Sequence, residues 1–147
     1  MKIAEIERFS LRLQPNDSAQ RSAETIIVRV RADSGMSGLG EAAAVGADAS
    51  RSRATLLAWL RAYETALIGA DALNINAINR ILDGVAGRHP PGCQPARAAI
   101  DMAVHDLVGK TRGCPVHELL GGAYRTAFDL FADVAAGTNG DVAVAAR

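Results

Sequence analysis

From Ala96 to Gly122 the chain reads ARAAIDMAVHDLVGKTRGCPVHELLGG, and no other stretch limits the fold as much. Ile100, Ala103, Val104, Leu107 and Val108 recur at the helical period of about 3.6 residues and form one apolar stripe, with Asp101, Asp106 and Lys110 off it. The pattern predicts a helix with one buried face. Asp106 and Lys110 stand four apart with the acid first, the favourable order for a helical pair, worth about 0.2–0.5 kcal/mol. Gly113 is placed to stop the helix, and Pro115 to open a second, short helix at its first position, where a missing N–H costs nothing.

Upstream the period changes. Phe9, Leu11 and Leu13 alternate with Arg8, Ser10 and Arg12, the two-residue repeat of a strand with one wet face, which places the first strand at about residues 2–13. Residues 14–22 contain Pro15, Asn16, Asp17 and two serines and predict a mobile polar connection. Residues 25–32 are β-branched, with Arg29 and Arg31 on one face and Val28 and Val30 on the other. Asp33, Ser34 and Gly35 then turn the chain into a third strand at about residues 37–44. Asp48 is a plausible N-cap for a helix carrying Leu56, Leu60, Tyr63 and Leu67 on one stripe, with Gly69 as its stop. A second helix at about residues 75–85 carries Ile78, Leu82 and Val85, and a Pro-rich loop leads into the long helix at about residues 94–111. Strands followed by helices predict an α+β fold, a three-stranded antiparallel meander followed by a helical bundle. Residues 128–135 are apolar and strand-like, followed by Gly137, Thr138, Asn139, Gly140 and an Ala-rich end, the opening of a βα unit with no partner strand.

A chain of 147 residues is long enough for one compact domain. Its 16 basic residues balance 16 acidic ones and only 4% of residues are aromatic, so there is neither a field nor a set of stacking rings for nucleic acid, and no charge for an anionic membrane. The acids in the opening Met-Lys-Ile-Ala-Glu-Ile-Glu stand where a secretory leader needs an apolar run, and no stretch approaches the roughly 18 apolar residues of a membrane span. A cytoplasmic protein with small-molecule or protein partners is expected. Cys93 and Cys114 lack a Cys-x-x-Cys spacing and read as reduced structural thiols.

The stretch from Ala96 to Gly121 also resembles the amino-terminal signature of the mandelate racemase and muconate lactonizing enzyme group of the enolase superfamily. The matching residues are Ala96, Ala99, Ile100, Asp101, Ala103, Asp106, Leu107, Gly109, Lys110, Pro115, Val116, Leu119, Leu120 and Gly121. The turn at Asp33 to Gly35 and the run Gly38-Leu39-Gly40-Glu41-Ala42 resemble the family's first meander. The resemblance implies a capping domain at residues 1–125 and the start of a truncated TIM-like (β/α) barrel at 126–147. In that family the barrel holds the catalytic lysines or histidines and three carboxylates that bind Mg2+, and such a barrel takes about 250 residues. The chain is therefore expected to be catalytically incomplete and inactive alone, with no catalytic or metal-binding residue of its own. For the intact enzyme the resemblance implies abstraction of the proton α to a small carboxylate substrate, by a racemase, epimerase, cycloisomerase or dehydratase. A carbon acid of that kind is too weak for a side-chain base unless a metal and nearby cations stabilise the enediolate. A homo-oligomer is also expected. The part left to this chain is to cover the barrel mouth with two loops, residues 16–22 and 45–50. Arg21, Ser22 and Val45 are the candidate substrate-binding residues, Arg21 because a guanidinium fork matches a carboxylate. The alternative is a free-standing α+β binding or interaction module without catalysis.

The remaining constellations are weak. His89, His105 and His117 fall on separate segments, and His105 with Asp101 reads as a helix-surface pair. Gly35, Gly38 and Gly40 lead into a strand where a dinucleotide loop needs a helix, so they read as residues of a twisted hairpin and of close backbone packing. Glu41 reads as a structural hydrogen-bond partner.

Overall fold

The computed structural model describes residues 1–13, 23–44, 53–87 and 92–130. Three antiparallel strands, β1 (Ile3–Leu13), β2 (Ala23–Ala32) and β3 (Ser37–Ala44), form one sheet in the order β1-β2-β3. Among the described residues four helices follow: α1 (Arg53–Leu67), α2 (Ile75–Ala86), α3 (Gln94–Arg112) and the single turn α4 (Val116–Leu119). The α+β meander and the helices behind it are as the sequence predicts. Asp48, the N-cap candidate for α1, lies outside the described residues.

The helices cover one face of the sheet. Ile26, Val28 and Val30 on β2 and Ala42 on β3 meet Leu56, Leu60, Tyr63 and Leu67 of α1, Ile78 and Leu82 of α2, and Ala96, Ile100, Val104 and Leu107 of α3 in a single buried cluster. Ile3 and Ile6 both join it despite their odd spacing, because the β1–β2 register shifts between Ile3 and Glu5 and turns Ile3 inward. In α2 it is Ala86 that is fully buried, while Val85 is half-buried.

The packing of α3 on β3 is unusually close. A Cβ built on Gly38 would lie 2.0 Å from the carbonyl oxygen of Ala103, and one on Gly40 would lie 2.0 Å from that of Ala99. Strand backbone and helix backbone thus touch along a seam of glycine on one side and alanine on the other. This is the close-packing role read from Gly38 and Gly40 in the sequence. Gly109 permits a second close approach, at the turn after α3, where a Cβ would lie 2.9 Å from the carbonyl oxygen of Cys114. Gly113 ends α3 in the left-handed conformation, its N–H bonded back into the last turn. Pro115 stands one place earlier than the sequence suggested. It is the N-cap of α4, with an extended ψ of 153°, so its fixed φ serves the residue before the helix.

No described helix covers the other face of the sheet, and here β1 departs from the expected pattern. Phe9 and Leu11, the apolar half of its alternation, point to the open side and are 42% and 47% exposed. Arg8 points inward, half-buried, and its guanidinium lies 2.5 Å from the Glu64 carboxylate of α1. Register is the physical reason. Pairing Phe9 with Ile27 and Glu7 with Arg29 puts Phe9 on the arginine-bearing face of β2, because one face of β2 is already committed to Val28 and Val30. Across the open side the register makes four rows: Glu5, Arg31 and Ser37; Glu7, Arg29 and Leu39; Phe9, Ile27 and Glu41; Leu11, Thr25 and Ala43.

Candidate functional site

The strand ends from which the two expected substrate loops depart lie at one end of the sheet. Leu13 pairs with Ala23 and Glu24 with Ala44, so the connection 14–22 and the segment after β3 are both rooted at the same end of the sheet. The direction of α3 adds a third root. Gly38 lies against Ala103 and Leu107 and Gly40 against Ala99, so α3 runs antiparallel to β3 and begins at that end. The candidates themselves, Arg21, Ser22 and Val45, lie outside the described residues, as do the connection expected to be mobile and His89.

The described roots carry charge that the sequence reading missed. Arg12, near the end of β1, donates to the Glu24 carboxylate at the start of β2 at 2.8 Å. That hydrogen bond holds the Glu24 carboxyl below the usual carboxylate range against the opposing effect of burial, and the charges of Arg12 and of Arg53 at the start of α1 act the same way. One carboxylate therefore answers to cations flanking both segments. The signal in the sequence is a base and an acid, each one residue inside the strand end that flanks a single connection.

Other polar residues have structural duties. Glu41 accepts a hydrogen bond from the Thr25 hydroxyl at 2.7 Å, as its structural reading supposed. His105 donates from Nδ1 to the Asp101 carbonyl at 2.9 Å and lies 3.4 Å from the Asp101 carboxylate, while His117 stands exposed on α4. Asp106 and Lys110 form the expected pair at 2.6 Å and do more than that. Asp106 accepts from the Leu39 N–H at 2.8 Å, and Lys110 donates to the Ser37 carbonyl at 3.3 Å. Together they close the outer edge of β3, where an uncovered strand would offer free backbone groups. Beside this edge Leu39, Met102, His105, Val116 and Leu120 line a groove of about 320 Å³.

Among the described residues no cluster suits a divalent cation. From β1 through α3 every described carboxylate is engaged: Glu5 with Arg31, Glu7 with Arg29, Glu24 with Arg12, Glu41 with Thr25, Glu64 with Arg8, Asp83 with Arg97, Asp101 with His105 and Asp106 with Lys110. Asp33 and Asp71 accept from backbone N–H groups of Lys2 and Leu73. A hard cation needs several convergent, uncommitted oxygens, and no group of three or more potential metal ligands occurs among the described residues. No described helix is long and apolar enough to cross a membrane. Beyond α4 the described tail has no regular structure, with Phe128 73% and Leu130 95% exposed, and residues 131–147, including Phe131 and Val134, lie outside the described part.

Comparison with known proteins gives this architecture a lineage. Residues 9–121 match the family described as mandelate racemase / muconate lactonizing enzyme, N-terminal domain. The chain is 38% identical over 101 residues to cis-3-hydroxy-L-proline dehydratase of Roseibium aggregatum, covering 68% of this chain and 26% of that protein. It is 36% identical over 138 residues to muconate cycloisomerase 1 of Pseudomonas putida, covering 89% of this chain and 36% of that protein. The structure of muconate lactonizing enzyme from Pseudomonas putida superposes with a TM-score of 0.75 at 34% identity, covering 85% of this chain and 34% of that one. These relatives are enzymes, and the chain spans between about a quarter and two fifths of the length of curated relatives such as the dehydratase and a chloromuconate cycloisomerase. The glycine-alanine seam, the edge-closing Asp106 and Lys110 and the three-stranded meander are thus features of a chain that belongs to the mandelate racemase and muconate lactonizing enzyme family of the enolase superfamily, as its N-terminal capping domain.

Proposed function

We propose that this chain is the substrate-covering part of an enzyme that removes the proton α to the carboxylate of a small organic acid, with racemisation, epimerisation, cycloisomerisation or dehydration as the outcome. The family match over residues 9–121 carries the reading. On this reading residues 1–125 form the cap and residues 126–147 begin the barrel. Mg2+ and the catalytic base are assigned to the barrel, since no group of three or more potential metal ligands occurs among the described residues of the cap. The cap contributes orientation and exclusion of water. Arg21 holds the substrate carboxylate through its guanidinium fork, Ser22 adds a hydroxyl, and Val45 supplies apolar contact from the second loop. The expected setting is a cytoplasmic homo-oligomer.

The test is exchange of the α-proton for deuterium in a panel of small carboxylates with Mg2+ present, using the polypeptide that carries this cap joined to its barrel. Exchange is expected from that polypeptide and none from the 147 residues alone. Arg21→Met should raise KM for a carboxylate substrate about tenfold or more and lower kcat less, the pattern of a lost binding contact. Exchange by the 147-residue chain alone would refute the incomplete-enzyme reading, and its absence from the joined polypeptide would favour a binding module.

A further inference from the structure

Where the two substrate connections are rooted, the last row of the sheet on its helix-bearing face is Arg12, Glu24 and Ala44. Glu24 stands two residues before the buried Ile26, and Arg12 four residues beyond the inward-facing Arg8, so both side chains lie on the helix side. Arg12 precedes the connection 14–22 and Glu24 follows it, while Ala44 precedes the segment 45–52 and Arg53, the first residue of α1, follows that. The Glu24 carboxylate is central to this arrangement: it accepts from Arg12 at 2.8 Å, and the charge of Arg53 acts on it as well. With side chains 66% and 36% exposed, the Arg12–Glu24 pair adds little to folding stability, since water screens it and ordering two long side chains costs entropy. Position is another matter. Shifting a strand end takes far less free energy than unfolding, so a pair that barely supports the fold still biases where its two ends lie. A displacement of about 1 Å in a group that holds substrate can cost about a hundredfold in rate.

We propose that Glu24 is a positioning residue of the substrate cover, its carboxylate holding the root of the connection 14–22, through Arg12, in fixed relation to the start of α1, through Arg53. The proposal rests on the reading that Arg21, Ser22 and Val45 face the substrate, and that reading supplies a test by sign. By charge alone, removing an anion from this end would improve the hold on a carboxylate substrate and lower KM. Loss of position raises it. In the polypeptide that joins this cap to its barrel, Glu24→Gln is expected to raise KM for α-proton exchange about fivefold and to change kcat by less than about twofold. Arg53→Gln should raise KM too, and the double variant should be no worse than the more affected single one, because both act through one carboxylate. A fall in KM for Glu24→Gln, or additive effects of the two substitutions, would overturn the proposal.

A second measurement needs no turnover. In the 147-residue chain, Glu24→Gln should speed amide exchange at least about threefold at Ala44, in the last row, and at Leu57, whose N–H closes the first turn of α1 on Arg53. Exchange at the buried Val28 should stay as slow as in the wild type. Asp71→Asn, which neutralises a carboxylate beside Lys2 at the far end of the sheet, should change neither readout. Unchanged exchange at Ala44 and Leu57, or the same acceleration from Asp71→Asn, would overturn the proposal. Accelerated amides together with no α-proton exchange from the joined wild type would support the linkage of the two roots and count against the catalytic reading alone.

Discussion

The two faces of one three-stranded sheet obey different physics. The inner face meets α3 with almost no side chain between the two backbones, at Gly38 and Gly40 against Ala99 and Ala103. The outer face carries long side chains that pair with one another across strands and leave Phe9, Leu11 and Leu39 about half exposed. The inner face is therefore a matter of volume, where a single methyl group has nowhere to go. The outer face is a matter of charge and wetting, where a change of side chain is absorbed by solvent. Their common boundary is the edge of β3, closed by Asp106 and Lys110 reaching round from α3.

The sharpest way to break this contrast is Gly40→Ala. Its Cβ would stand 2.0 Å from a backbone oxygen that no rotamer can move, so α3 has to shift bodily. We expect a loss of about 3 kcal/mol, at the top of the usual range for overpacking, or failure to fold, read from urea denaturation. A stable Gly40→Ala protein would mean that the seam is looser than drawn.

At the boundary, Asp106→Ala removes the acceptor of the Leu39 N–H and the partner of Lys110 together. The Leu39 N–H lies at the exposed edge and water replaces the carboxylate, so the expected cost is about 1 kcal/mol. Amide exchange at Leu39 should accelerate, and Asp106→Asn, which keeps an acceptor, should restore most of its protection. Unchanged exchange in the alanine variant would remove Asp106 from the edge-closing role.

The smallest effect belongs to the outer face and is visible as pH dependence. The Arg29 hydrogen bond, opposed by burial and reinforced by the charges of Arg29 and Arg31, holds the Glu7 carboxyl below its ordinary value of 4.5. A carboxyl lowered on folding stabilises the protein above its unfolded value, and the benefit fades as pH falls through the folded one. Glu7→Gln should therefore leave thermal stability almost unchanged relative to wild type in strong acid and reduce it slightly at neutral pH. The difference should shrink in high salt. A larger penalty in acid than at neutrality would reverse the assigned sign.

Legibility followed the same division. The strands, the apolar stripes of α1 and α3 and the glycine stop of α3 could be read because periodicity and turn chemistry are local properties of the chain. The candidate site was legible only as a pair of connections. That Leu13, Ala23 and Ala44 share one end follows from the meander, but the link among Arg12, Glu24 and Arg53 joins residues from three separate elements. No spacing rule announces a carboxylate shared in that way.

By itself, then, the amino-acid sequence determined the elements, their order and the family. The signature of α3 is set by which residues can line one helical face and end it, and those requirements are met within a few turns of chain. Only the tertiary structure decided which side of β1 is buried. Its alternation offers Phe9 and Leu11 to one face and Arg8 to the other, and read alone it favours burying the former. The opposite holds because β1 must pair with β2, whose valines are already committed to the helices, and one residue of register in a strand exchanges every side chain between core and surface. Likewise Asp106 and Lys110 look like an ordinary helical pair until α3 is laid on the edge of β3, and it is the closeness allowed by Gly38 and Gly40 that brings them within reach of its backbone.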